Sequence, residues 1–252
     1  MAPTIVLISG ANRGLGKGLL ELYLARPHHV VIAANRNPDH PTSKALAELP
    51  KGTDTRLIVI KIDASVESDA AEGIKQLTAQ GIDHIDIAIA NAGVCYVFPK
   101  ISEIKTVDLQ GHLTPNLFGV VWLYQAAISL LKKSTNPKWI TMGSVGGKIL
   151  YRDQPDVPHA AYGPSKVAVH WVTKRIDKEE NWLTAFVIHP GLADTEMGQT
   201  ALAGLVEVHD NIPVKLITVQ ESCQGMISVI DAATKATHGG RLVAYTGDVD
   251  TW

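Results

Sequence analysis

The segment Thr4–Gly16 reads TIVLISGANRGLG, an apolar β-branched run that leads directly into a glycine-rich turn. A near-continuous apolar run of this kind predicts a strand buried in a parallel sheet. Gly10, Gly14 and Gly16 then permit a tight turn, close approach of the backbone to a phosphate and close packing of the following helix. That helix presents free N–H groups and the positive end of its dipole at the turn. The segment therefore predicts a strand–turn–helix unit that binds the pyrophosphate of a dinucleotide.

Short β-branched runs alternate with longer helical patterns along the whole chain. The predicted strands are Thr4–Ser9, Val30–Ala34, Leu57–Ile60, Ile85–Ala90, Lys138–Met142, Thr184–Ile188 and Arg241–Ala244. The predicted helices are Leu15–Ala25, Ser43–Leu49, Val66–Gln80, Ser102–Lys132, Tyr162–Glu180 and Gln220–Ala233. The alternation predicts an α/β fold in one domain, residues 1–252. This would be a Rossmann-type doubly wound parallel sheet of about seven strands with helices on both faces.

Two connections are longer than a regular alternation requires. Gly143–Ala161 is rich in glycine, proline and charge, and Leu192–Pro213 mixes small residues with scattered apolar ones. Each follows a predicted strand, and ligands of open α/β sheets bind outside the carboxyl ends of the strands. Loops of this length are commonly functional or mobile. We therefore expect both to border the ligand site, with Leu192–Pro213 as a lid.

Composition and charge exclude several classes of function. Hydrophobic residues make up 46% and charged residues 19% of the chain, a balance that excludes disorder. The net charge of −2 leaves no basic surplus for nucleic acid, and no apolar stretch approaches the ~20 residues of a membrane span. Neither partner is expected. Cys95 and Cys223 cannot form a disulfide framework, which favours a cytoplasmic location. The histidines lack a spacing such as H-E-x-x-H, so no metal site is predicted.

One tyrosine and one lysine have the spacing required for proton transfer. Tyr162 and Lys166 are four residues apart, so a helix places both on one face. A tyrosine has an ordinary pKa of ~10 and is a poor base at neutral pH. A neighbouring ammonium favours the phenolate and would lower that pKa towards the working range. Ser144, which follows the fifth predicted strand, would hydrogen-bond the reacting oxygen. Taken alone, the pair also fits an ordinary surface helix.

The G-x-x-x-G-x-G spacing of the first turn resembles the short-chain dehydrogenase/reductase family. Further motifs of that family follow in the expected order along essentially the whole chain. They are Asn91-Ala92-Gly93, Asn116 in Pro115-Asn116-Leu117-Phe118-Gly119, Ser144, Tyr162-Gly163-Pro164-Ser165-Lys166, and Pro190-Gly191 with Thr195. The overall pattern is similar to that of the carbonyl reductases and the fungal norsolorinic acid ketoreductase-like members.

The resemblance implies a nicotinamide cofactor and a catalytic set of Asn116, Ser144, Tyr162 and Lys166. Lys166 would also bind the nicotinamide ribose, and Asn116 would hold a water in a proton relay. Pro115 removes a helical hydrogen bond, and the distortion would free polar groups for that water. Cofactor contacts are implied for Gly10, Asn12, Arg13, Gly14, Leu15, Gly16, Asn91, Gly93, Tyr162, Lys166, Pro190, Gly191, Leu192 and Thr195. Asp63 matches the aspartate that contacts adenine, and its other interpretation is a turn or helix cap.

The end of the second predicted strand favours NADP(H) over NAD(H). An acidic residue there would bind the ribose 2′-hydroxyl of NAD, whereas an arginine accommodates a 2′-phosphate. Ala34 and Asn35 supply no acid, Arg36 follows at once, and Arg13 is a second cation in the glycine-rich turn. The alternative interpretation of each arginine is a solvated surface charge.

The sequence therefore predicts an NADP(H)-dependent ketoreductase that interconverts a small-molecule carbonyl compound and a secondary alcohol. The resemblance also implies a homodimer or homotetramer. The gap from Ser144 to Tyr162 exceeds the family's usual spacing, so Ile149–His159 is expected to reshape the substrate wall.

Two other classes of function stay open. One is a non-redox enzyme on the same scaffold, such as a cyclase or dehydratase, and the other is a nucleotide-sensing binding protein. The intact Ser144, Tyr162 and Lys166 argue against the sensor. A cofactor-consumption assay with a panel of ketones separates the three classes.

Overall fold

The structure is a computed structural model that describes residues 2–150, 154, 157–208 and 216–252, with the backbone alone for 205–208. Its strands are β1 (Thr4–Ser9), β2 (His29–Asn35), β3 (Arg56–Lys61), β4 (Ile87–Ala90), β5 (Lys138–Met142), β6 (Thr184–His189), β7 (Leu242–Ala244) and β8 (Val249–Asp250). They form one sheet in the order β3-β2-β1-β4-β5-β6-β7-β8. All neighbouring pairs are parallel except β7 and β8, which are antiparallel.

Helices occupy both faces of this sheet. They are α1 (Gly14–Leu24), α2 (Pro41–Lys44), α3 (Glu67–Ala79), α4 (Thr106–Leu113), α5 (Gly119–Leu131), α6 (Tyr162–Glu179), α7 (Glu196–Val208), α8 (Val219–Ala232) and α9 (Lys235–His238). Short 3-10 turns lie at Ala45–Glu48 and Val145–Gly147, and a π-helical turn at Thr114–Phe118 joins α4 to α5.

The core consists of two apolar layers, because successive side chains of a strand point to opposite faces. Ile5 and Leu7 of β1 belong to the layer shared with α3, α5 and α6. Val6 and Ile8 belong to the layer shared with α1 and α8. Full burial of one such aliphatic side chain contributes about 1.5–3 kcal/mol relative to exposure. Together the two layers fix the sheet on which the site is built.

The strand order reverses direction between β1 and β4. From β1 the chain runs outward through β2 and β3, and it then returns to place β4 on the other side of β1. Ser9 and Ala90, the last residues of these two strands, therefore border the crevice where open α/β sheets bind ligands. The fold class expected from the sequence is confirmed.

The elements that the sequence missed are those with weak hydrophobic periodicity. β8 is only two residues long, so it raises the strand number from the expected seven to eight. Within Leu192–Pro213 the structure has the helix α7, and residues 209–213 lie outside the described part. The glycines at 198 and 204 lower the helix propensity of this stretch. The predicted helix Ser43–Leu49 is α2 followed by a 3-10 turn.

The predicted helix Ser102–Lys132 begins only at Thr106 and is interrupted by the π-helical turn. By length and mean hydropathy alone, the helical stretch Thr106–Leu131 could cross a membrane, contrary to the expectation from the sequence. In the fold, Val120, Leu123 and Ala127 of this stretch are buried in the core layer that includes α3. Packing against the sheet and a neighbouring helix thus accounts for part of its apolar composition.

Candidate active site

The glycine-rich turn between β1 and α1 has backbone conformations that residues with a side chain rarely adopt. Gly10 and Gly14 have φ values of +66° and +53°. At Gly16, a Cβ atom would lie 2.2 Å from the carbonyl oxygen of Gly10, so only glycine fits. Arg13 is the N-cap residue of α1 and makes no side-chain cap, and the first turn contains no acidic residue. The helix N-terminus is therefore suited to the phosphates of a dinucleotide.

Asn91 joins this turn to the end of β4. Its Nδ2 atom donates to the carbonyl oxygens of Ser9 and Gly10, at 2.9 and 3.2 Å. The hydroxyl oxygen of Ser9 in turn accepts hydrogen bonds from the backbone N–H groups of Asn91 and Ala92. These bonds hold the two strand ends at the switch point in fixed positions.

Asn116 lies on the π-helical turn and is buried. Its Oδ1 accepts from the N–H of Val94 at 2.8 Å, and its Nδ2 donates to the Val94 carbonyl and to the Ser165 hydroxyl, both at 2.9 Å. A Cβ at Gly93 would lie 3.0 Å from Oδ1, so the loop after β4 passes close to this amide. Pro115 lacks a backbone N–H, which accounts for the widened turn. Asn116 thus connects the loop after β4 to α6.

Ser144, Tyr162 and Lys166 lie together at the carboxyl edge of β5. The Ser144 hydroxyl accepts from the N–H of Gly146 at 3.0 Å and is hydrogen-bonded to Tyr162. Lys166 is buried, and its Nζ donates to the carbonyl oxygen of Met142 at 2.8 Å and lies 5.5 Å from the centre of the Tyr162 ring.

The pKa of Tyr162 differs from the sequence expectation. Burial raises this pKa above the ordinary value, while the hydrogen bond with Ser144 acts in the opposite direction. The predicted net lowering by Lys166 is wrong, because desolvation of the phenolate dominates. Burial also lowers the pKa of Lys166 itself, to about 8. The tyrosine is therefore a neutral phenol at neutral pH and is able to donate a proton.

The segment after β6 approaches the glycine-rich turn. The Pro190 carbonyl accepts from the Ser222 hydroxyl, and Gly191 has a φ of +71°. The Leu192 carbonyl accepts from the N–H of Ile217 at 3.0 Å. Thr195 accepts from the N–H of Gly198 at the start of α7, and its methyl carbon would be 3.4 Å from a Cβ at Gly14. The N-terminus of α7 thus lies over the turn between β1 and α1.

The remaining predicted cofactor contacts are spread around the same turn. Arg13 is exposed and is paired with Glu196 of α7. Arg36 is exposed and has no ion pair within the described residues. Asn12 donates to the Thr42 hydroxyl at 2.6 Å. Leu15 is part of α1, and its backbone carbonyl oxygen accepts a hydrogen bond from the Cys223 thiol. The Asp63 carboxylate accepts a hydrogen bond from the backbone N–H of Ser65. This is the geometry expected of a residue that caps a turn, which is the alternative interpretation of Asp63.

Three further residues of the site lie outside the family motifs. Asn35 is fully buried and its Oδ1 accepts from the N–H of Ala11 at 2.9 Å, so it holds the glycine-rich turn on β2. Cys95 is close enough to Lys166 for that charge to lower the pKa of its thiol, although burial raises this pKa to about 11 overall. His170 contacts the backbone of Ser144. The sequence offers a cue for two of them, since Cys95 lies two residues after Gly93 and His170 lies one helical turn after Lys166.

The described residues contain no group of three or more His, Cys, Asp or Glu side chains that could hold a metal ion. What they do contain is a dinucleotide-binding turn, a crevice at a switch point and a serine–tyrosine–lysine cluster. A Rossmann fold with these features defines a nicotinamide-dependent oxidoreductase.

Comparison with known proteins agrees with this class. A family model described as short chain dehydrogenase matches residues 4–205. The short-chain dehydrogenase srdF of Neurospora crassa is 37% identical over 99% of this chain and 98% of its own length. The norsolorinic acid ketoreductase nor1 of Dothistroma septosporum is 34% identical over 96% of this chain and 90% of its own. The chain belongs to the short-chain dehydrogenase/reductase family, and it is an oxidoreductase that acts on carbonyl or alcohol groups.

Solved structures share the fold at lower identity. The NADPH-bound carbonyl reductase from chicken fatty liver superposes with a TM-score of 0.84 at 22% identity, covering 100% of both chains. The carbonyl reductase Sniffer of D. melanogaster gives 0.82 at 22% identity, again with 100% of both chains covered.

Proposed function

We propose that this protein is an NADP(H)-dependent ketoreductase in which Tyr162 protonates the carbonyl oxygen of a ketone. The observation that carries the proposal is the cluster of Ser144, Tyr162 and Lys166 at the carboxyl edge of β5, beside the dinucleotide-binding turn. The names of the fungal ketoreductase and carbonyl reductase relatives support the same reaction.

Each residue of this cluster has a definite task in the reaction. The Tyr162 phenol would give its proton to the carbonyl oxygen, and a bound NADPH would supply the hydride for the carbonyl carbon, so that an alcohol would form. Ser144 donates a hydrogen bond that orients the same oxygen. The Lys166 ammonium stabilises the phenolate that Tyr162 becomes and binds the nicotinamide ribose. Because the Asn116 side chain is already hydrogen-bonded, a relay water would bind a main-chain group of the π-helical turn.

The proposed preference for NADP(H) rests on the charged side chains next to the glycine-rich turn. Ala34 and Asn35 supply no carboxylate, and the Asn35 side chain is occupied by Ala11 and Ser43. Arg36 is exposed directly after β2, and Arg13 lies in the turn itself. Either guanidinium can donate charge-assisted hydrogen bonds to a 2′-phosphate. The carbonyl reductase from chicken fatty liver was crystallised with NADPH, which supports the same cofactor here.

The substrate is an uncharged ketone with a large apolar part. Three segments at the carboxyl edge of the sheet expose apolar side chains that a soluble surface would ordinarily cover. They are the loop after β4 with Tyr96, the turn after β5 with Val145, Ile149 and Leu150, and α7 with Met197. Phe98 of the first segment also contacts Gly204 of the third.

A cofactor-consumption assay with a panel of ketones tests the proposal. Wild-type protein should oxidise NADPH with apolar aryl ketones faster than with charged keto acids, whereas Tyr162→Phe should lose activity and keep NADPH binding. General acid catalysis contributes about 10²–10⁴-fold, so the loss should fall in that range. Conversion of a substrate without net consumption of NADPH would indicate a non-redox enzyme. Binding without any conversion would indicate a nucleotide sensor.

A further inference from the structure

His170 lies on α6 one helical turn after Lys166, and its side chain points into the protein. It is 2% exposed. Its Nε2 accepts the backbone N–H of Ser144 at 3.3 Å. The imidazole therefore contacts the main chain of Ser144 and not its hydroxyl, which accepts from the N–H of Gly146. No motif of the sequence assigns this residue a part in the site.

Two glycines on either side of Ser144 make room for this ring. A Cβ at Gly143 would lie 2.8 Å from the Nε2 of His170, and a Cβ at Gly147 would lie 2.5 Å from its Cε1. Both distances are shorter than real carbon contacts, so a side chain at either position would displace the ring. The backbone of the turn after β5 thus packs directly on the imidazole.

The His170 imidazole is in the neutral state that the hydrogen bond from the Ser144 N–H requires. A ring nitrogen accepts a hydrogen bond only when it carries no proton. Burial lowers the pKa of His170 to about 3, and the nearby charge of Lys166 acts in the same direction. The ring is therefore neutral throughout the range in which the enzyme works. Because Nε2 accepts from the N–H of Ser144, we assign the hydrogen of the neutral ring to Nδ1.

Residues 249–252 pack against the His170 ring and against the segments next to it. The Trp252 indole packs edge-on against His170, with ring centres 5.8 Å apart, and the Lys174 ammonium lies 4.8 Å from the indole centre. Asp250 accepts from Lys148 at 2.5 Å and lies 3.1 Å from the His189 imidazole. Lys148 directly follows the turn that carries Ser144. This segment thereby joins the serine turn, α6 and the end of β6.

We propose that His170 is a positioning residue that fixes the backbone of Ser144, and that Trp252 holds the His170 ring in place for this task. The inference rests on the proposed function, because it matters only if Ser144 orients the reacting oxygen. Displacement of a reacting group by about 1 Å can cost about 10²-fold in rate. The effect should appear in kcat and not in nucleotide binding, because His170 contacts the turn after β5 and not the glycine-rich turn.

The test compares His170→Leu, which has no acceptor, with His170→Gln, whose amide oxygen can reach the position of Nε2. We expect His170→Leu to lower kcat by roughly 10–100-fold with the Kd for NADPH unchanged. His170→Gln should recover most of the loss, and Trp252→Ala should show a smaller loss in kcat alone. His238→Leu replaces a histidine outside the site and should keep full activity. NADPH binding by fluorescence shows that each variant is folded.

Two results would overturn the inference. Full kcat in His170→Leu would show that Ser144 needs no support, and equal losses in the Leu and Gln variants would show that packing alone matters. Should His170→Leu fail to fold, the His170→Gln and Trp252→Ala variants carry the test. An unchanged kcat in Trp252→Ala would contradict the role of Trp252 in holding the His170 ring. Ser144→Ala separates the two proposals. An active Ser144→Ala refutes the task given to Ser144, whereas an inactive one beside a fully active His170→Leu refutes only the positioning.

Discussion

Burial gives Tyr162 and Lys166 opposite pKa shifts, and this determines how the site should respond to pH. The raised pKa of Tyr162 keeps its proton available for donation at every working pH. The pKa of Lys166, lowered to about 8, means that its ammonium is charged below that pH and neutral above it. In the proposed mechanism, loss of the ammonium would remove the charge that stabilises the phenolate formed during reduction.

We therefore expect kcat for ketone reduction to be constant below pH 8 and to fall as the pH rises through about 8. The measurement is a series of kcat values at saturating NADPH between about pH 6 and pH 10. In Lys166→Arg the guanidinium stays charged, so any residual activity should lose this fall. A wild-type rate that stays level through pH 10 would contradict the assignment.

Arg36 is the residue on which the cofactor preference is expected to depend. A charge-assisted contact with the 2′-phosphate is worth about 1.5–3 kcal/mol, or about 10–150-fold in affinity. Arg36→Ala should raise the Kd for NADPH by at least several-fold and leave that for NADH almost unchanged, with a larger loss in a double variant with Arg13→Ala. Arg56→Ala is the matched control, because Arg56 begins β3 and so lies at the amino end of the strands, away from the cofactor site. Equal binding of NADH and NADPH by wild type would refute the preference.

Among the elements, α7 is the one whose position links cofactor and substrate. Its N-terminus contacts the glycine-rich turn through Thr195 near Gly14 and through the ion pair of Glu196 with Arg13. Both side chains of that pair are exposed, so the pair itself adds little stability. We propose that α7 is a lid that becomes ordered over the site when the nucleotide and ketone bind.

Hydrogen exchange tests the lid directly. Backbone amides of Leu192–Val208 should exchange more slowly with NADPH and a substrate analogue bound than without them. Amides of residues 80–86, at the opposite edge of the sheet, provide the internal control and should not change. Glu196→Gln frees Arg13 for the phosphate and should tighten NADPH binding. Identical exchange over α7 in both states would remove the lid from the proposal.

The same elements show what the sequence can predict. The parallel strands were predictable because their β-branched runs are continuous and buried, and only their ends shifted by one or two residues. Gly10, Asn91 and Ser144 were predictable because they directly follow those strands. Tyr162 and Lys166 were predictable because their spacing places both on one face of a helix. By contrast, α7 was missed because glycines weaken its helical pattern. His170 was missed because its proximity to Ser144 depends on packing between distant segments.

At the scale of the whole molecule, two helices expose large aromatic side chains. Phe118 contacts Trp122 at the start of α5, with ring centres 6.1 Å apart, and Trp171 on α6 is 65% exposed. Aromatic residues are enriched at protein interfaces, and large exposed apolar patches are uncommon on monomers. We propose that this face joins two copies of the chain.

A charge on this face should separate the copies. We expect wild-type protein to elute as a dimer or tetramer in size-exclusion chromatography with light scattering, and Trp171→Glu to shift to the monomer mass. Val249→Glu places the same charge on β8, away from the helical face, and should keep the wild-type mass. A monomeric wild type would contradict the proposal.

The strand order also determines how the molecule behaves when it is crowded. An exposed sheet edge can pair with another chain and start aggregation, and natural proteins prevent this with short or charged edge strands. Here one edge is β8, which is two residues long and antiparallel, and the other is β3, which begins at Arg56 and ends at Lys61. The edge at β8 offers only two residues, and in β3 the charged Arg56 and Lys61 flank the apolar run Leu57–Ile60. The protein should therefore resist strand-to-strand aggregation at high concentration, and the proposed contact between copies would use its helical face and not a sheet edge.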